Sequence, residues 1–164
     1  MQTIIDYFST IPSSHRSLIL VGGITIFWLI ENAFPLFNFK YKRWHHAGIN
    51  IFFTLTTIIV NFCLAFILLN VADWAYQNNF GILQWLPEMP IAAYTIIGLL
   101  LLDLIGAYLV HLVEHKVKFL WGFHLIHHTD TWIDTTSANR HHPGESVIRF
   151  VFTTLGVVLV GSPM

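Results

Sequence analysis

Between Gly48 and Ala72 the chain runs for 25 residues without a charged side chain. A bilayer core about 30 Å thick needs roughly 20 mostly apolar residues in a helix that rises about 1.5 Å per residue. The run therefore predicts a membrane-spanning helix. Two further stretches qualify, 17–37 ("SLILVGGITIFWLIENAFPLF") and 91–113 ("IAAYTIIGLLLLDLIGAYLVHLV"). A fourth, 147–161 ("VIRFVFTTLGVVLVG"), is short for a span. Only 10% of the 164 residues are charged and 55% are hydrophobic. Soluble domains carry about 25% charged residues, so a water-exposed surface for this chain is disfavoured. The expected fold is all-α: one membrane-embedded domain, 1–164, with three to four transmembrane helices.

Loop charges suggest an orientation. Lys40, Lys42 and Arg43 lie between the first two spans, and Lys116 and Lys118 follow the third. The loop between spans two and three has only Asp73 and Glu88, beside the interfacial aromatics Trp74, Tyr76 and Trp85. The positive-inside rule then puts 38–47 and everything from about 114 in the cytoplasm. The N-terminus lacks the features of a cleaved signal peptide and reads as a surface-lying amphipathic segment (Ile4, Ile5, Tyr7, Phe8, Ile11). A net charge of −1 without a basic stripe excludes nucleic acid as a partner. The lone Cys63 excludes an intramolecular disulfide or thiolate metal site.

Against this apolar background, histidines crowd one region. "HLVEH" places His111 and His115 one turn apart on one helix face. Shuffling would give about half such an H-x-x-x-H pair per chain, so that spacing alone is weak. "HLIHH" (His124, His127, His128) is sharper, with roughly 0.03 expected per shuffled chain. On a helix His124 faces both partners, which themselves diverge by about 100° and can serve different metals. Eight residues, "KVKFLWGF", separate the clusters, and a turn there would fold one helix back over the other. "RHHPGE" adds His141 and His142, and Pro143 biases His142 out of the helical region. The expected product is a cytoplasmic, histidine-rich, metal-binding helical cap.

Metal-bound histidines usually donate their second ring nitrogen to an acid or carbonyl. Glu114, Asp130, Asp134 and Glu145 are interleaved with the cluster, and Asp103 lies mid-span where a carboxylate is costly. Asp103, Asp134 and Glu145 are the candidate supporting residues; Asp103 can equally fix helix packing. His45 and His46 can approach the cluster, although a headgroup-facing loop is the commoner role for such a pair, and His15 is isolated. There is no E-x-x-H, H-E-x-x-H, G-x-S-x-G or P-loop. Imidazole ligation suits iron, copper, nickel or zinc without choosing among them. Paired histidines also admit a membrane haem-binding electron carrier, and a metal-binding membrane protein without oxygenase activity stands as a third reading. Against haem, spans one and two contain no histidine, and seven cluster on one side.

At these residues the chain resembles the fatty acid hydroxylase superfamily, the membrane-bound sterol desaturase-like oxygenases. The resemblance rests on His111/His115, on His124/His127/His128 in "LWGFHLIHH", and on Arg140, His142, Pro143 and Glu145, with Asp103 and Tyr108 also in family-like places. These elements fall between about 95 and 150, within a family-like region of about 95–164. The resemblance implies a non-haem centre of two iron ions on the cytoplasmic face. It would use O2 and electrons from a separate donor protein to hydroxylate or desaturate a lipid, a sterol, fatty acyl chain or relative. His111, His115, His124, His127, His128 and His142 would be ligands, with His141 an additional candidate and no catalytic residue beyond the ligands. Two departures stand out. Leu112 replaces a frequent arginine, and no further histidine box precedes Met164. The latter gives the expectation of a C-terminally incomplete sequence whose residues 1–164 bind metal incompletely and do not turn over.

Overall fold

The computed structural model describes residues 7, 10–35 and 41–161. Lys40 and the amphipathic positions Ile4, Ile5 and Phe8 lie outside them. The described residues form helices and connecting turns, without strands. Four helices are long and apolar enough to cross a membrane. α1 (Ser13–Ala33) stops before Pro35, which restricts the preceding residue to extended backbone. α2 (Arg43–Gln77) has 35 residues, about 52 Å at 1.5 Å per residue, and so reaches past the hydrocarbon at both ends. Its Trp44, Trp74 and Tyr76 are exposed near those ends, as interfacial aromatics are. A single helical turn, α3 (Ile82–Trp85), leads to the third span.

That span begins after Pro90 as α4 (Ile91–Asp103), loosens into a π-helical turn (Leu104–Leu109), and continues as α5 (Val110–Lys116). Such turns occur often at functional sites, and this one ends two residues before His111. Its Gly106 faces Thr153 of the last span, where an added Cβ would meet the Thr153 hydroxyl at 3.4 Å. After an extended residue, Val117, the chain reverses into α6 (Lys118–His128). A 3-10 turn (Thr135–Asn139) follows, then α7 (Pro143–Val160). The fourth span thus starts at Pro143 rather than 147, and its 18 residues (about 27 Å) nearly match the hydrocarbon. Gly161 ends it in the left-handed conformation, φ 68°, against Phe80 and Gly81.

The core is polar where a soluble core would be oily. The largest fully buried side chains are His124, Glu114, Glu145, Val110, Val160 and Asn50. Leu18, Leu20, Phe27, Phe62 and Leu100 are among the large apolar side chains left exposed, as a lipid-facing surface requires. Polar groups buried among spans tie helices together by hydrogen bonds that no water competes for. Glu31 at the end of α1 accepts from the Thr135 backbone N–H at 2.8 Å, and α2 supplies His46 to Asp130 and Asp134. The ends of α1 and α5, the starts of α2 and α7, and the segment 117–142 therefore gather at one membrane end.

Candidate metal centre

The reversal at Val117 lays α6 over α5 and brings four imidazoles together. His111 and His115, one turn apart on α5, approach through their Nε2 atoms at 3.2 Å. On α6, His124 and His128 do the same at 3.1 Å. The rings of His111 and His115 lie 4.6 and 4.9 Å from that of His124. One ligand nitrogen from each of the four falls within 4.8 Å of the others. With metal–imidazole bonds of about 2.1 Å, nitrogens sharing an ion stand about 3.0 Å apart in an octahedron and about 3.4 Å in a tetrahedron. The separations within the two pairs, 3.2 and 3.1 Å, lie between these values, and the four nitrogens are close enough together to hold a transition-metal ion.

The tautomer of His124 is set from the far side. Its Nδ1 lies 3.0 Å from Glu145 Oε1 and 3.5 Å from Glu114 Oε2, and all three side chains are fully buried. A carboxylate can only accept, so Nδ1 carries the hydrogen and Nε2 keeps its lone pair toward the cluster. Burial holds the His124 pKa below the ordinary value, with the Glu145 hydrogen bond working against it. The neutral ring is the ligating form.

Arg149 bridges this buried acid pair. Its Nε donates to Glu145 at 2.9 Å and its Nη2 to Glu114 at 3.2 Å. Glu145 Oε1 also faces His141 Nδ1 at 3.0 Å. Glu114 Oε1, Glu145 Oε2 and His127 Nδ1 are buried without a partner among the described residues. Three unsatisfied polar atoms beside the histidines cost too much to be incidental; water or an ion there would satisfy them.

The remaining candidates are placed differently. His127 stacks on His141 at 5.0 Å, outside the four-ring group. Its pKa is lowered, first by burial and then by the neighbouring His141. His142 caps α7, its Nδ1 accepting from the Gly144 N–H at 2.9 Å while the ring packs on Phe123. Asp103 is exposed, and its side chain makes no hydrogen bond or ion pair among the described residues. Asp134 caps the 3-10 turn through Thr136 and takes bonds from Tyr41 and His46; it braces the loop and not a ring of the cluster.

Two features were not distinguished by sequence reasoning. Arg149 is a lone cation in an apolar run, and that cost was the available signal. His46 is buried with its Nε2 2.7 Å from Asp130 and its Nδ1 3.1 Å from Asp134. It thereby holds the loop that follows His128. Asn50 extends this network to Thr136 and Arg140, at 2.8 and 3.2 Å. Burial would raise the Asp130 and Asp134 carboxyls, but hydrogen bonds from Ser137, Thr136, Tyr41 and the backbone, with the His46 ring, hold both below the usual range. The Tyr41 phenol is pushed up to about 12 by burial and by Asp134, so it remains a donor.

Comparison with known proteins gives two sequence matches. The fatty acid hydroxylase family matches residues 95–164. Ornithine lipid hydroxylase OlsE of Rhizobium tropici is 24% identical over 90 residues, 55% of this chain and 26% of that protein. The chain thus spans about a quarter of the length of this curated relative. No solved structure matches. His111, His115, His124, His127, His128, Glu145 and Arg149 all fall in the segment, residues 95–164, that matches the fatty acid hydroxylase family.

Proposed function

We propose that this chain carries the histidine-bearing part of a membrane-bound, non-haem di-iron oxygenase that hydroxylates or desaturates a lipid. The observation that carries the reading is the meeting of four imidazole nitrogens at one membrane end, one of them oriented by a buried carboxylate. In this reading His111, His115, His124 and His128 hold one iron. His127, His141 and His142 are the candidates for the second. Bound iron would supply the O2-dependent oxidation of a C–H bond, with electrons from a separate donor protein.

The residues of the chain do the rest. Glu145 and Arg149 fix the His124 ring and its tautomer. Arg149 ties the two buried acids together, so the site holds its shape without bulk water. The histidines sit where the spans end, so a lipid can reach them without leaving the bilayer. By the distribution of Lys42, Arg43, Lys116 and Lys118 this end faces the cytoplasm. The ring packing favours bare ions over haem. Rings with centroids 4.6–4.9 Å apart leave no space for a macrocycle between them.

The experiment is expression of the protein in a host lacking the activity, with lipid extracts analysed by mass spectrometry. A lipid gaining 16 Da or losing 2 Da, dependent on O2 and on His124, is the expected result. An unchanged lipid profile together with a haem Soret band would contradict it.

A further inference from the structure

A second feature at the same membrane end lies outside the histidine site. A cleft of about 470 Å³ opens between α1, the start of α2 and the 131–134 loop. That size is within the range of about 300–1,000 Å³ usual for small-molecule sites. Trp28 and Trp44 line it, their rings 5.8 Å apart, and Trp44 is 80% exposed. Arg43 reaches into it with one guanidinium nitrogen on Asn32 Oδ1 at 2.5 Å. Glu31 lines it as well, and one of its oxygens, Oε2, takes the Thr135 backbone and hydroxyl.

The charges in this cleft are not matched to each other. Arg43 lies over the Tyr41 ring at 5.8 Å but forms no ion pair, and Glu31 meets no cation, among the described residues. Asp134, the other acid of the lining, is already bonded by Tyr41, His46 and Thr136. An arginine and tryptophans at an interface would need no further explanation as membrane anchors. A carboxylate in the last turn of a membrane span does, because an anion there is costly and repels anionic lipid.

We propose that this cleft is a headgroup site for a membrane lipid carrying both an anionic phosphate and a primary ammonium. Arg43, oriented by Asn32, takes the phosphate, since a guanidinium suits bidentate contact with its oxygens. Glu31 accepts from the ammonium, and the paired tryptophans cover the glycerol side. That such a lipid is the one oxidised at the histidines rests on the function proposed above; the headgroup site itself does not.

The test uses the purified full chain in mixed micelles holding equal phosphatidylethanolamine, phosphatidylcholine and phosphatidylglycerol, with retained lipid read by native mass spectrometry. Phosphatidylcholine has the charge but no N–H to donate, and phosphatidylglycerol lacks the cation. About fivefold enrichment of phosphatidylethanolamine is expected, the size of one partly exposed charge contact. Glu31→Gln, which keeps the acceptor for Thr135, should abolish the enrichment; Arg43→Ala should lower retention of all three, and Arg43→Lys should restore part of it. Equal retention by the unaltered chain, enrichment that survives Glu31→Gln, or retention unchanged in Arg43→Ala overturns the proposal. Iron is measured on the same samples. Iron present without enrichment overturns the headgroup site alone, and enrichment without iron supports it while contradicting the oxygenase reading.

Discussion

His124 and Glu145 share a fully buried hydrogen bond of 3.0 Å, from the ring nitrogen that points away from the histidine cluster. An acid on α7 thereby sets the tautomer of a ring on α6. Glu145→Gln is expected to lower iron affinity about 10- to 100-fold, as outer-shell changes at metal sites do. The side-chain amide retains the shape but weakens the acceptor. Metal titration of the purified variant, with circular dichroism to confirm its helix content, measures the effect.

Arg149 holds Glu145 and Glu114 together from one turn further along α7. Arg149→Met should leave the buried Glu145 carboxylate without its cation and Glu114 without its donor, and destabilise the protein by about 3–5 kcal/mol. Arg149→Lys should recover part of the loss, since a point charge cannot span both acids as the guanidinium fork does. Thermal unfolding in detergent distinguishes the three proteins.

Asp134 gives a pH signature away from the cluster. Its folded pKa lies below the ordinary carboxylate value. The stability it adds is therefore present above about pH 4 and lost as pH falls through the depressed folded value. Unfolding of the unaltered protein and of Asp134→Asn is expected to differ clearly near neutrality and to converge in acid. Denaturant midpoints across that range read the difference.

At the opposite membrane end, Gly161 has φ 68° and an added Cβ would collide with the Phe80 carbonyl oxygen. Gly161→Ala should cost about 1–3 kcal/mol through left-handed backbone strain and weaken the contact with Gly81 and Gln84. Metal affinity should be unchanged, because the site is a helix length away. A lowered Tm with normal metal binding is the expected pair of results.

Much of this arrangement is readable in the residues themselves. Run lengths give the spans, since hydrocarbon thickness and helix rise set them together, and the 4- and 3-residue histidine spacings put His111 with His115 and His124 with His127 and His128. What the chain does not declare is which neighbour each group meets. His127 and His128 diverge on α6, and only the angle of α6 over α5 decides that His128 joins the four-ring group while His127 stacks on His141. Asp134 and Glu145 look alike as interleaved acids, yet one caps a loop and the other holds His124. His46 reads as a headgroup-facing residue until Asp130 and Asp134 fold onto it from more than 80 positions away. The π-helical turn before His111 leaves no mark in hydropathy at all.

The central claim is best tested by X-ray absorption spectroscopy of the purified chain loaded with Fe(II). An iron shell of imidazole nitrogens, with bound iron lost in the combined His111→Ala, His124→Ala protein while its helix content persists, is the predicted result. Iron that fails to bind, or that remains with an unaltered spectrum after both rings are removed, would contradict it.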